Sequence, residues 1–195
     1  MTDSSEETKN EDGYLAGQLL VAMPHMLDER FAKTVIYVCA HTEDGAMGLV
    51  VNKVMENIDF PDLLDQLSLS ASPKGEDIRV HFGGPVESGR GFVLHSSDYV
   101  QDATMVIDKE IAMTATTDIL RDIAEGEGPR NSLLALGYAG WGPGQLDTEI
   151  QANGWLSVPA DDKLVFNTDP KSVWQGALSK MGIDVSMLSG DAGHA

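Results

Sequence analysis

Thr34-Val35-Ile36-Tyr37-Val38-Cys39-Ala40, a Glu43-Asp44-Gly45 turn, then Gly48-Leu49-Val50-Val51-Asn52: this stretch decides the fold. Neither arm alternates apolar with polar residues. Both are continuous apolar runs rich in β-branched side chains, the pattern of strands buried on both faces. Toward the N-terminus, Gln18-Leu19-Leu20-Val21-Ala22-Met23 is a similar run, closed by Pro24. Toward the C-terminus, Arg79-Val80-His81-Phe82 and Gly91-Phe92-Val93-Leu94-His95 follow, separated by a Gly83-Gly84-Pro85 break. Weaker strand patterns lie at Thr104 to Ile107, Ile111 to Ala115, Leu133 to Tyr138, Gly154 to Val158 and Leu164 to Phe166.

Four helices are expected among these strands. Asp59 can cap a helix over Phe60 to Leu67, with Leu63, Leu64 and Leu67 on one face. Thr116 or Thr117 can cap a second through Ala124, ended by Gly126, Gly128 and Pro129. Gly142-Pro143 opens a third, with proline at the first helical position. Asp169-Pro170 opens the last, where Val173, Trp174, Ala177, Leu178 and Met181 share a face until Gly182. Clustered strands with occasional helices argue for an α+β fold over a regularly alternating one.

A chain of 195 residues with 42% apolar content can build one real core. Residues 1–12 are acidic and lack large apolar groups, so a disordered tail is expected there. The segment 189–195 is small and polar and expected to fray, which leaves one domain over 13–188. No secretory signal and no apolar run of membrane-spanning length is present, which points to the cytoplasm. Cys39, the single cysteine, sits in an apolar run and reads as a buried, reduced thiol.

Charge excludes more. The net charge is −18, and the first twelve residues carry five acids and one lysine, net −4, leaving −14 on the body of the protein. Gripping duplex DNA requires clustered Lys and Arg to neutralise phosphates, and the 13 basic residues here are scattered. Direct nucleic-acid binding and docking to anionic lipid are therefore disfavoured, and a cationic partner, or none, fits better.

Catalytic signatures are missing. His25, His41, His81 and His95 lack the short spacing of a zinc site, so no metal and no cofactor is expected. His41 and His95 each fall near a strand end and could meet at one end of a sheet. There is no Gly-x-Ser-x-Gly elbow, and the acidic pairs Asp108-Glu110 and Asp161-Asp162 read as solvated loop residues. Two glycine-rich stretches are more informative: Gly83-Gly84-Pro85-Val86, and Gly137-Tyr138-Ala139-Gly140-Trp141-Gly142-Pro143-Gly144-Gln145. They can serve as tight turns, or they can let a ligand approach the backbone, with an anion at the helix start that follows.

At these residues the chain becomes recognisable. The blocks are Gly17 to Pro24, Phe31 to His41, Gly45 to Lys53, Phe82 to Val86, Gly91 to His95 and Gly137 to Glu149, followed by Asn153, Trp155 and Trp174-x-x-Ala177-Leu178. Together, and in this order, they resemble the AlgH/YqgE family of bacterial proteins over 13–188. The resemblance implies a mostly antiparallel, bifurcated sheet with a small closed barrel, surrounded by helices. It also implies the family's transcriptional-regulator label, and it transfers no catalytic residue.

The leading reading is thus a non-enzymatic protein that acts through a protein partner, with self-association compatible. The alternative is a small-molecule-binding protein or undiscovered enzyme. Its pocket would lie at loops 83–86 and 137–145, built from Gly83, Gly84, Asn52, His41, His95, Tyr138, Trp141 and Gln145.

Overall fold

β2 (Val35–Thr42) and β3 (Gly45–Val50) form the central hairpin, in register from Ile36 opposite Val50 to Val38 opposite Gly48, with a bulge before Ala40 meets Met47. In the computed structural model, which describes residues 14–69 and 78–184, β1 (Gln18–Ala22) flanks β2. β9 (Trp155–Pro159) then flanks β1. The expected acidic tail and frayed C-terminus lie outside the described residues. On the other side of β3 comes β8 (Ser132–Trp141), then β5 (Val86–Ser96), β7 (Ile111–Thr114) and β6 (Thr104–Val106).

β8 is where the sheet forks. Its Ala139–Trp141 stretch pairs antiparallel with β3, whereas Leu134 to Leu136 pairs in parallel with β4 (Val80–Phe82). β5 takes the other flank of β8 along most of its length. The small closed barrel expected from the resemblance is not formed. The sheet curls but stays open, with β6 and β9 as its two ends. Closure is unnecessary because helices cover the faces that a barrel would bury in itself.

Alternation along the buried strands feeds different cores. Leu19, Val21, Val35, Tyr37 and Cys39 join Phe92, Leu94, Leu133 and Ala135 beneath α4 (Asp162–Phe166) and α5 (Pro170–Lys180). On the opposite face Leu20, Ala22, Ile36 and Val38 pack with Trp141, Trp155 and Leu146 of α3 (Gln145–Gln151). Further along that face, Val80, Val93, Leu134 and Leu136 pack with α1 (Phe60–Gln66) and α2 (Thr117–Glu125). The expectation of strands buried on both faces holds for β1 and β2.

Five helices are described, one more than expected. Leu164 to Phe166 belongs to α4 and not to a strand, because the Asp161 carboxylate accepts from Leu164 N and starts a turn there. Pro143 is not the first residue of α3: Gly144, with φ of 70°, is the N-cap and the helix begins at Gln145. α1 carries a full capping box between Asp59 and Asp62. α2 ends as expected at Gly126, in the left-handed conformation. Among the described residues no helix is long and apolar enough to cross a membrane.

Candidate functional site

The two glycine-rich stretches meet, and they meet backbone to backbone. Gly83 N donates to Leu136 O at 2.8 Å, and Val50 N donates to Gly83 O at 2.8 Å. A Cβ on Gly84 would lie 2.0 Å from the Tyr138 carbonyl carbon, and one on Gly137 would lie 2.3 Å from Gly84 O. Glycine is needed here because main chain occupies the space. Asn52 sits close by as a clip. Its Oδ1 accepts from Val35 N and its Nδ2 donates to Lys33 O, both at 2.9 Å, across a loop where Lys33 has φ of 57°.

His41 and His95 are not brought together. Through Ala46, His41 is in register with Trp141 at one end of β8; His95 is in register with Ser132 at the other. That separation is about 30 Å at the rise of an extended strand. His41 Nδ1 accepts from Leu15 N at 3.0 Å, so the proton of the neutral ring is on Nε2, 3.9 Å from Asp147 Oδ1. His95 is fully buried. Its Nδ1 contacts Ser96 O at 2.9 Å and its Nε2 contacts Thr114 Oγ1 at 2.8 Å. The carbonyl can only accept, so Nδ1 carries the proton and Thr114 donates to Nε2. Burial pushes the His95 pKa down, which keeps this network neutral.

Beyond Gly140 the chain is also committed to structure. Gln145 Oε1 accepts from Gly142 N at 3.0 Å and closes the turn, so that N–H is not open to an anion. Tyr138 packs edge-on to Phe92, and Trp141 edge-on to Trp155. Glu149 lies near the same two indoles, with its Oε2 and Trp155 Nε1 buried and without a hydrogen-bond partner. Burial raises its carboxyl above the usual range, against Trp141 and Trp155, which favour the carboxylate. The acidic pairs are more engaged than solvated loops: Asp108 accepts from Glu110 N, Ile111 N and the Tyr37 hydroxyl, and Asp161 pairs with Lys180.

Two of the open features among the described residues bear on function. The first is a cavity of about 450 Å³ between β4, the start of β8 and the α4–α5 turn, with Arg79, His81, Ser132, Asn167, Thr168 and Asp169 among its walls. His81 is 93% buried, and its Nδ1 has no hydrogen-bond partner. Burial, reinforced by the Arg79 charge and opposed by backbone hydrogen bonding, pushes its pKa down to about 4. The second is the free edge of β6, where Val100, Met105 and Val106 are 58%, 40% and 55% exposed.

Against known proteins, residues 19–186 match the family model described as AlgH-like. The chain belongs to the AlgH-like family. Among relatives of this AlgH-like protein, the UPF0301 protein of Rhodospirillum rubrum is 56% identical over 94% of this chain and 96% of its own length. That of Afipia carboxidovorans is 59% identical over 93% of this chain and 90% of its own. The solution structure of the AlgH protein from Pseudomonas aeruginosa superposes with a TM-score of 0.78, at 41% identity over 100% of both chains. A Corynebacterium diphtheriae protein shares the fold alone, with a TM-score of 0.70 and 22% identity over 85% of this chain and 86% of its own.

In this AlgH-like protein the sequence reading missed Arg79 and His81. No local signal marked His81: its buried face follows from pairing with β8, where it lies opposite the core residue Ala135.

Proposed function

We propose that this AlgH-like protein is a non-enzymatic regulatory protein of the bacterial cytoplasm, acting on transcription indirectly by docking a protein partner on the β6 edge. The observation that carries this reading is the apolar edge itself. β6 ends the sheet with Met105 and Val106 exposed beside Val100. Ile107 N bonds inward to Ile111 O, so by strand alternation the Val106 N–H and C=O face away from β7. An open edge with apolar side chains is a template for an added strand. β6 has only three residues, so the side chains would supply much of the contact. The net charge of −18 favours a basic segment as the partner and opposes direct contact with duplex DNA.

The alternative of a ligand pocket between loops 83–86 and 137–145 has less support, since backbone fills the space between them. The test is capture of partners from a cell extract by tagged wild type and by the double variant Met105→Lys, Val106→Lys. Both positions are exposed, so the variant keeps its circular dichroism. A partner retained by the wild type and lost by the variant supports the reading. Identical retention by both, or salt-sensitive sub-micromolar binding to duplex DNA, overturns it.

A further inference from the structure

The cavity beside β4 brings an arginine, a buried histidine and two further polar side chains to one space. Arg79, just before β4, lines its wall without an ion pair to any described residue. Arg30, Arg90 and Arg121 each have an acid within 4 Å, and Arg130, which has no ion pair to a described residue either, meets Asp98 through its backbone N–H. The Ser132 hydroxyl and the Asn167 amide line the same space with no hydrogen bond to the described protein. His81 stands on the same face as the apolar core residues, buried and with Nδ1 unpartnered. Such an atom is uncommon in folded proteins and calls for a partner. The start of α5 does not provide the binding groups: Pro170 has no N–H, and Asp169 takes Lys171 N through Oδ1 and Ser172 N through its carbonyl. Of the two charged side chains in the wall, Asp169 is thus engaged by described residues and Arg79 is not.

We propose that this cavity binds a small organic anion, a carboxylate or a phosphate ester, with its acid group on Arg79 and its neighbouring polar atoms on His81 Nδ1, Ser132 and Asn167. Three of these groups are or contain donors, and the neutral imidazole donates from Nδ1 in one of its two tautomers, so all four can converge on oxyanion oxygens. A space of about 450 Å³ exceeds what a bare ion needs and falls in the range of metabolite pockets. Binding here is independent of the β6 edge, since the walls come from β4, β8 and the α4–α5 turn.

The experiment is an amide NMR titration of the full chain with citrate, with inorganic phosphate, and with glycerol as a neutral control, at ionic strength matched with sodium chloride. The expected result is saturable shifts at residues 79–81, 132 and 167–168 with at least one of the two anions and none with glycerol. Citrate alone assigns the carboxylate class, and phosphate alone the phosphate class. Arg79→Gln, a change at an exposed position, weakens the affinity at least about tenfold, as loss of a charge-assisted bond does, while Arg90→Gln leaves it unchanged. The proposal is overturned if neither anion shifts those residues, if glycerol shifts them equally, or if Arg79→Gln binds as the wild type does.

Discussion

Cys39 lies 4% exposed between β2 neighbours, and burial pushes its thiol pKa up to about 12. A thiol so held is neither ionised nor reachable at neutral pH. Native protein at pH 8 should therefore resist an alkylating reagent, and denatured protein should take up one equivalent, read by intact mass. Asn52 gives a second prediction. Asn52→Ala removes two hydrogen bonds that fix the start of β2, at a cost of about 1–3 kcal/mol in urea unfolding. His81 gives a third. Its folded pKa falls from 6.5 to about 4, so between those values the unfolded chain binds a proton that the folded chain refuses. Stability is then lost as pH falls through that window, by about 3 kcal/mol from this group. His81→Asn should flatten the wild-type decline between pH 6.5 and 4 in urea midpoints. Among these residues only Cys39 was legible from the sequence, because its apolar neighbours adjoin it in the chain. The partners of Asn52 are 17 and 19 residues away, and the walls of the His81 cavity come from three separate elements.

At the scale of elements, the buried hairpin, the α2 and α5 boundaries and the Asp59 cap were readable because each depends on adjacent residues. α4 was not. Leu-Val-Phe is as good a strand as a helix, and the Asp161 cap decides between them. A forked sheet was expected from the resemblance alone; its place at β8 was not readable from the residues, since β3 and β4 meet the same flank of one strand only in three dimensions. The glycine-rich loops were legible as a pair but ambiguous in purpose. Gly84→Ala resolves that at the level of packing. Its Cβ would meet the main chain of Tyr138, which cannot move aside like a side-chain tip, so the expected cost exceeds about 3 kcal/mol in chemical unfolding. A cost below about 1 kcal/mol would mean that the loops part easily enough to admit a ligand.

At the scale of the whole molecule, composition sets the sign of the charge, on which the proposed basic partner rests, while topology places the open edge. The curled sheet stays open because helices cover its faces, and its β6 end carries exposed Met105 and Val106. An isolated apolar side chain on a surface is ordinary, but an apolar strand edge with outward backbone groups is a binding feature. The measurement that tests this most directly is amide hydrogen exchange on the free protein and on the complex captured by it. Docking on the edge should slow exchange at residues 104–106 in the complex, with the strongest effect at the outward amide of Val106. Unchanged exchange there, with protection elsewhere on the surface, would contradict the account.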